Sequence, residues 1–395
     1  MPGSLKTIGK IRAALAARPA ELAEAKARGR KVAAWVNYNI PEELLDALGF
    51  IPVRLGWGGD DRLTDIGARY ISTKNCVFVR ELVGRFEEAT DPYIKAADIV
   101  ALDATCLQVY RVAELIKYYF KANTVILGVP RNFATPEAKD YFRHETAHFV
   151  ARLEEQAGKK LETAKLAESI KLYDAIRAAI RELYPYQAGD DAKISWLETF
   201  DVVQAGQFLD RRAYLGLLQE LIAELKAEQG PPVVKNPNSE VRIFLSGSII
   251  PPNDRKLIGI IESWGGRIVG DDLWSGLLSS IDVNIAAPTV EAIADAYLGR
   301  APHAALPYLD LESDGRLKNL KKLVHQFKAQ AVIYHTLRYC DPFTFKANET
   351  KTVLNKDGIP FLEIHTEYAG SDYEAIRTRV EAFIELLKNR NLVEA

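Results

Sequence analysis

Short apolar segments alternate with segments of helical spacing over two long stretches of this chain, and this alternation limits the folds open to it. In the first stretch, the strand candidates span residues 31–36, 51–55, 98–102 and 124–129. In the second stretch, they span residues 241–245, 267–269, 331–335 and 360–364. Such alternation is typical of βαβ units and a mostly parallel sheet. The sequence therefore predicts an α/β protein with two doubly wound halves.

The regions outside these two halves have a helical composition. Strand patterns disappear from residue 135 to about residue 225, where long charged segments have helical spacing, and a Pro-rich run at residues 230–239 is typical of a linker. Near the N-terminus, residues 4–30 predict helices, with Pro19 opening the second one. The predicted units are N-terminal helices over 1–30, a first α/β subdomain over 31–134, a helical segment and linker over 135–235, and a second α/β subdomain over 236–395.

Charge and cysteine content exclude several classes of protein. The 51 basic and 53 acidic residues give a net charge of −2, without the basic excess of a general nucleic-acid binder. No stretch approaches the length of apolar sequence that a membrane span needs, and the N-terminus lacks the apolar core of a secretory signal. Three cysteines cannot build a disulfide framework. We therefore expect a reduced, cytoplasmic protein that binds neither nucleic acid nor membrane.

The three cysteines all lie near predicted helix starts. Cys106 follows the strand candidate at 98–102, Cys340 follows the one at 331–335, and Cys76 precedes a segment of helical spacing. Ligands of open α/β sheets bind outside the carboxyl ends of strands, and a helix N-terminus favours the thiolate, which is the form that binds metals. The spacing matches no compact zinc or ferredoxin motif. On position alone, a shared metal site and three buried apolar cysteines are both open.

Six segments carry a resemblance to a known family. They are residues 38–55, 75–84, 104–114, 266–273, 339–345 and 358–383. Together they resemble the cluster-bearing subunits of the 2-hydroxyacyl-CoA dehydratase and benzoyl-CoA reductase superfamily, most of all the smaller cluster subunit of ATP-dependent benzoyl-CoA reductase. The resemblance implies two flavodoxin-like, doubly wound parallel-sheet subdomains with helical additions and one [4Fe–4S] cluster between them.

The same resemblance implies the ligands of that cluster. Cys76, Cys106 and Cys340 match the positions of the family's three cluster cysteines, which leave one iron without a cysteine ligand. Relatives often carry a further cysteine where this chain has Trp274, and three cysteines can hold only one cubane. We therefore expect one [4Fe–4S] cluster per chain.

Two reactions are compatible with the resemblance. The dehydratases eliminate water from a 2-hydroxyacyl-CoA through a ketyl radical, and the reductases dearomatise benzoyl-CoA to a cyclic dienoyl-CoA in a Birch-like sequence of low-potential one-electron steps. The runs at residues 340–343 and 365–368 look more like the reductases. We therefore expect a benzoyl-CoA reductase subunit, with a dehydratase subunit or a purely structural cluster subunit as the alternatives.

The partners follow from what the sequence lacks and from the resemblance. The chain contains neither the G-x-x-x-x-G-K-[ST] loop of nucleotide hydrolases nor a G-x-G-x-x-G fingerprint. We therefore expect ATP and Mg on partner subunits only. The family implies a heterodimer with a paralogous cluster subunit, ATP-hydrolysing iron–sulfur activator or electron-donor subunits, a ferredoxin upstream and an acyl-CoA substrate.

Two acid–base groups are candidate proton donors. His365 ends a predicted strand and Glu367 follows it, and the ordinary pKa of histidine suits proton delivery after electron transfer. A histidine satisfied in the core is the equal alternative. His144 and His148 form a formal H-E-x-x-H zinc motif, but the charged helix around them makes a chance match the stronger explanation.

Four further residues are candidates for binding the substrate. Ser246 and Ser248 lie in a Gly-Ser turn after a strand, where backbone amides can receive a phosphate or a thioester oxygen. Arg377 and Arg379 on the last predicted helix could contact a phosphate of CoA. A tight turn and a surface-covering arginine pair are the alternatives that remain open.

Overall fold

A computed structural model of the chain describes residues 5–130, 135–228, 232–233, 241–281, 283–300 and 315–394, with side chains as far as residue 389. The strands are β1 Val32–Val36, β2 Ile51–Arg54, β3 Ile99–Asp103, β4 Thr124–Leu127, β5 Val241–Gly247, β6 Gly266–Asp271, β7 Ala331–Leu337 and β8 Phe361–Thr366. The helices are α1 Lys6–Ala27, α2 Glu42–Ala47, α3 Asp61–Gly67, α4 Val77–Glu88, α5 Pro92–Ala96, α6 Leu107–Phe120, α7 Pro136–Ala157, α8 Thr163–Leu183, α9 Pro185–Ala188, α10 Trp196–Ala205, α11 Arg211–Ala227, α12 Lys256–Ser263, α13 Val290–Gly299, α14 Gly315–Gln326, α15 Asp341–Lys356 and α16 Tyr373–Glu394.

The eight described strands form two separate four-stranded sheets in which every pairing is parallel. The strand order is β2-β1-β3-β4 in the first sheet and β6-β5-β7-β8 in the second. Each sheet therefore has the 2-1-3-4 order of a flavodoxin-like doubly wound fold. All residues of β1 and β3 are buried, because helices cover both faces of a parallel sheet, and this explains their continuous apolar runs. The predicted fold class is confirmed.

A helical segment packs against both sheets rather than standing apart from them. Phe142 and Phe149 of α7 share a core with Val125 and Leu127 of β4. The later helices, α8 to α11, share the largest core of the described residues with β5, β6 and β7. The predicted division at residues 134 and 235, with most of the linker at 230–239, lies outside the described residues, so the four-unit division stays a prediction.

The N-terminal segment differs from its prediction, because one helix replaces the expected pair. Helix α1 runs from Lys6 to Ala27 with Pro19 in its interior. An interior proline removes one backbone hydrogen bond and costs about 3 kcal/mol. Packing offsets this cost, since Ile11 and Leu22 are buried and the Arg18 Nε donates a 2.8 Å hydrogen bond to the Phe208 carbonyl. Within the described part of the chain, no helix has the length and apolar character that crossing a membrane requires.

Candidate functional site

Each of the three cysteines occupies the N-cap of a helix. Cys76 precedes α4, Cys106 precedes α6 and Cys340 precedes α15. Asn, Asp, Ser and Thr are the usual residues at this position because their side chains accept hydrogen bonds from the first turn. A thiol at the same place faces the positive end of the helix dipole, which stabilises a thiolate. The predicted placement at helix starts is confirmed for all three cysteines.

The strand order explains why residues so far apart in sequence meet. In the first sheet, the connection after β1 crosses to one side and the connection after β3 crosses to the other side. The connections after β5 and β7 do the same in the second sheet. Each sheet therefore has a topological switch point between these two central strands. Asn37 follows β1, Cys106 follows β3, Ser248 follows β5 and Cys340 follows β7. All four residues line one cavity, so the two switch points face each other across it.

This thiol cavity contains about 480 Å³ of space that no atom fills, part of it open to solvent. Cys76, Cys106 and Cys340 all line it. The rest of the lining is apolar apart from three uncharged polar residues: Phe78, Val79, Val109, Ile249, Trp274, Leu337, Pro342 and Phe343, with Asn37, Gln108 and Ser248. No histidine or carboxylate among the described residues lines it, so the strong metal donors there are sulfur atoms.

Gln108 links the starts of the three helices, and the sequence analysis missed it. Its Oε1 accepts a 2.7 Å hydrogen bond from the Cys76 backbone N–H. Its Nε2 donates a 2.9 Å hydrogen bond to the carbonyl of Tyr339, the residue before Cys340. Since Gln108 itself lies in the first turn of α6, one side chain fixes α4, α6 and α15 relative to one another. The one signal in the sequence that could have identified Gln108 as a site residue is its position two residues after Cys106.

Unusual backbone conformations border the cavity. Asn37 has φ +81° and Tyr339 has φ +63°, and a non-glycine residue in this region is held there by its surroundings at a cost of about 1–3 kcal/mol. Asn37 is held by Asp103, whose Oδ1 accepts from the Asn37 Nδ2 at 2.6 Å. Gly247, with φ +121°, precedes Ser248, and a Cβ there would lie 1.9 Å from the His335 carbonyl oxygen. Only glycine fits this turn.

The thiols influence each other's protonation. Cys76 and Cys340 share a hydrogen bond, which lowers the pKa of Cys76 and raises that of Cys340. Burial raises the pKa of Cys106. Of the three thiols, Cys76 is therefore the one that loses its proton most readily. Because metals bind thiolates, a metal at this site would displace the remaining protons.

The donor set fits an iron–sulfur cluster better than a single ion. Among the described residues, no group of three or more His, Cys, Asp or Glu side chains converges on one metal position. A [4Fe–4S] cluster has a different requirement, because each cysteine binds a separate iron around a common cube. Three thiols around one largely apolar cavity match that requirement. On binding such a cluster, Cys76 and Cys340 would each bind an iron, and the hydrogen bond between them would be lost.

Of the two serines predicted to bind substrate, one reaches the cavity. Ser248 lines it, and its Oγ accepts a 3.0 Å hydrogen bond from the Leu337 backbone N–H. Ser246 is buried elsewhere, and its hydroxyl hydrogen-bonds the carboxylate of Asp272. The proposed roles of both serines stay predictions.

The predicted proton donors lie outside the lining of the thiol cavity. His365 is half-buried on the edge strand β8, with its Nε2 2.8 Å from Glu363 Oε1. Glu367 forms an ion pair with Arg338 at 2.9 Å. Both acid–base groups therefore already have charged neighbours, and their roles stay predictions. His144 and His148 are exposed on α7 and belong to no metal-binding group within the described ranges.

The two predicted CoA-binding arginines lie on α16 and also outside the lining of the thiol cavity. Arg377 pairs with Glu374 at 2.7 Å and with Glu381 at 3.4 Å. Arg379 donates a 2.7 Å hydrogen bond to the Glu363 carbonyl. Their proposed contact with CoA stays a prediction.

Several known proteins resemble this chain over most of its length. The chain is 25% identical over 352 residues to the beta subunit of lactoyl-CoA dehydratase from Anaerotignum propionicum, covering 88% of this chain and 89% of that protein. It is 23% identical over 363 residues to a subunit of benzoyl-CoA reductase from Thauera aromatica, covering 91% of each. It is also 24% identical over 353 residues to the putative dehydratase subunit YjiM of Escherichia coli K12, covering 88% and 89%.

The relatives are thus named as subunits of dehydratases and of a reductase, which supports an enzymatic role within an assembly of several subunits. The family model described as 2-hydroxyglutaryl-CoA dehydratase, D-component, matches residues 37–387. The matched region contains all three cysteines and every residue that lines the thiol cavity. The chain therefore belongs to the 2-hydroxyglutaryl-CoA dehydratase D-component family.

Proposed function

We propose that this chain is the cluster-carrying subunit of a multi-subunit enzyme that acts on an acyl-CoA thioester. The observation that carries the proposal is the meeting of Cys76, Cys106 and Cys340, from both halves of the chain, around one cavity. Three thiolates on a [4Fe–4S] cluster leave one iron for water, substrate or another ligand. A bound cluster supplies low-potential single electrons.

The residues around the thiols suit this task. Trp274 and Phe78 pack edge to face with ring centres 6.1 Å apart, and they give the cavity an apolar wall beside the thiols. Ser248 accepts a hydrogen bond from a backbone N–H, which leaves its own hydroxyl hydrogen free to donate to a thioester oxygen. Gln108 holds the helix starts in place, so that the ligands stay positioned.

For the reaction itself, we propose the ATP-dependent reduction of benzoyl-CoA to a cyclic dienoyl-CoA. The runs at residues 340–343 and 365–368, which look more like reductases, support it. ATP would be hydrolysed by activator subunits that receive electrons from a ferredoxin, and a paralogous cluster subunit would complete a heterodimer. Dehydration of a 2-hydroxyacyl-CoA by the same cysteines is the second candidate, because dehydratase subunits match this chain at 22–25% identity, a range that includes the 23% of the reductase subunit.

Cluster binding is tested by anaerobic reconstitution of the full chain with iron and sulfide. We expect about four irons per chain, visible absorption, and an electron paramagnetic resonance signal after reduction. Cys106→Ser should lose most of the iron and the signal. Leu107→Ala, at an exposed neighbouring position, is the matched control and should keep both. Full iron content and an unchanged signal in each of the three Cys→Ser variants would contradict the proposal.

The substrate is tested separately, in the complex with the paralogous subunit and the ATP-hydrolysing activator. Benzoyl-CoA and a 2-hydroxyacyl-CoA are supplied in parallel with ATP and a reductant. We expect a dienoyl-CoA from the first and no 2-enoyl-CoA from the second. The opposite pattern would replace the reductase with the dehydratase. Turnover of neither by a complex with intact clusters would overturn the assignment to acyl-CoA chemistry.

A further inference from the structure

A second cavity lies beside the thiol cavity, at the carboxyl ends of β1 and β2. It contains about 690 Å³ of unfilled space, part of it open to solvent, and we call it the arginine cavity because Arg54, Arg177, Arg211 and Arg300 line it. Arg54 stacks on Trp274, with its guanidinium carbon 4.2 Å from the ring centre. Since Trp274 lines the thiol cavity, these two side chains separate the two cavities.

Two of the four arginines are neutralised by carboxylates. Arg177 forms an ion pair with Glu43 at 2.8 Å. Arg211 forms an ion pair with Glu42 at 2.7 Å. The first contact is buried and the second is partly buried, and they explain how two guanidinium groups are accommodated inside the protein.

The other two arginines contact neutral groups. Arg54, only 3% exposed, donates to the carbonyls of Asn37 at 2.7 Å and Trp274 at 3.2 Å. Arg300 donates to Asn39 Oδ1 at 3.0 Å and to the Tyr38 carbonyl. Neither forms an ion pair with a carboxylate in the described part of the chain. Arg54 is buried and feels the carboxylates of Glu42 and Asp103 only at a distance, so an anion in direct contact would stabilise it.

The unpaired polar atoms around the arginine cavity are all hydrogen-bond donors. Four buried N–H groups of its lining residues have no acceptor: the Nε atoms of Arg54, Arg177 and Arg300, and the Nε1 of Trp35. None of the unpaired buried atoms in its lining is an acceptor. Burial also lowers the pKa of Arg54 to about 9, which still leaves the group charged at neutral pH. The lining therefore carries four arginines against one carboxylate, Glu42, which is already paired with Arg211.

We propose that the arginine cavity binds a phosphate group, with Arg54 and Arg300 as its principal cationic contacts. The planar guanidinium fork matches the geometry of phosphate oxygens. Aromatic faces orient the Arg300 fork, since its central carbon lies 3.7 Å from the ring centre of Tyr38 and 4.5 Å from that of Tyr297. The group would arrive as free inorganic phosphate or as part of a larger ligand such as coenzyme A. The site does not depend on the cluster.

The test uses the full chain without iron. Isothermal titration with potassium phosphate is compared with potassium chloride at equal ionic strength. We expect one phosphate per chain and a Kd at least about tenfold weaker in Arg300→Gln, as expected from losing a hydrogen bond to a charged group. Arg54→Gln should have a similar effect, and circular dichroism checks that both variants fold. Arg111→Gln, at a side chain that is 70% exposed, is the matched control and should bind like the wild type.

A second arm identifies the source of the phosphate group. If coenzyme A displaces phosphate and binds Arg300→Gln more weakly than the wild type, the cavity takes a phosphate group that belongs to a larger ligand. Phosphate binding that coenzyme A leaves unchanged would assign the site to the free anion. The proposal would be overturned if titration of phosphate and of coenzyme A gave only the heat that chloride gives. It would also be overturned if the arginine variants bound phosphate with the same affinity as the wild type. Because iron is absent throughout, failure of cluster binding leaves this result unaffected.

Discussion

Asp271, fully buried at the end of β6, illustrates how single side chains join the helical segment to the second sheet. Its Oδ2 accepts hydrogen bonds of 2.8 Å from the Tyr184 hydroxyl and from the Trp196 indole N–H. Its Oδ1 accepts from the backbone N–H groups of Leu273 and Leu277 at 3.1 and 3.0 Å. Despite these four donors, burial dominates and raises the pKa of Asp271 to about 6.

This shift predicts a pH dependence of stability. In the folded chain Asp271 holds its proton up to about pH 6, and in the unfolded chain only to about pH 4, so its contribution to stability falls as pH rises through this window. In Asp271→Asn the contribution is absent. The free energy of unfolding of the variant minus that of the wild type should therefore increase by about 2 kcal/mol when the pH is raised from about 4.5 to 7. Urea denaturation across that range measures the difference.

Asp140→Asn is the control, because its side chain is 69% exposed. The difference between this variant and wild type should change little with pH. A difference between Asp271→Asn and wild type that stays constant over the same range would contradict the account of the buried carboxyl.

At the scale of elements, periodic segments were predicted well and short ones were missed. Helix α7 lies in the region after residue 135 that was predicted to be helical, and its repeating pattern extends over six turns. Helices α3 and α5 were not predicted, since seven and five residues are too few for a periodicity to appear. Their starts did carry a signal, because Asp60 and Asp91 cap them with side-chain hydrogen bonds.

Helices α3 and α4 show a contact that sequence patterns cannot reveal. A Cβ on Gly67 would lie 1.9 Å from the Arg80 carbonyl oxygen, and one on Gly84 would lie 2.0 Å from the Leu63 carbonyl oxygen. The two backbones therefore touch directly, which only glycine permits. Since Cys76 begins α4, this contact helps to position one of the three thiols.

This contact predicts opposite effects for two glycine substitutions. Gly84→Ala would force α3 away from α4, and we expect it to lower the free energy of unfolding by about 1–3 kcal/mol. Gly216→Ala in α11 meets no atom within 4 Å and should raise it by about 0.5–1 kcal/mol through helix propensity. Urea denaturation of both variants measures the contrast. Equal effects would show that the close approach of α3 and α4 carries no energetic weight.

At the scale of the whole molecule, the strand pattern predicted the fold class, and the family resemblance implied that the three cysteines meet. Strand alternation gives the parallel sheets, and the topology then brings the ends of β3 and β7 to facing switch points. The arginine cavity was not predicted, because its arginines come from a strand end, two helices and a loop that no periodicity connects. Gln108 was missed because its role lies in contacts with other helices.

The proposed cluster would be held by both halves, and we therefore expect its binding to stabilise the whole chain. Iron and sulfide that bind only the folded arrangement should raise the melting temperature by several degrees, and a chelator should reverse the gain. Cys340→Ser removes the thiol that follows β7 and should abolish most of the increase. Calorimetry under anaerobic conditions measures the shift. Leu107→Ala should keep it, and an equal shift in Cys340→Ser and wild type would contradict the prediction.

The distance between the thiols along the chain also has a consequence for biosynthesis. Cys340 leaves the ribosome 234 residues after Cys106, which corresponds to about 10–50 s at the roughly 5–20 residues per second of translation. During that interval, Cys76 and Cys106 exist on a nascent polypeptide without the third sulfur. Exposed thiolates are the species that oxidants attack first. If the proposed cluster is to form, we therefore expect the chain to need reducing conditions before its last helices have been synthesised.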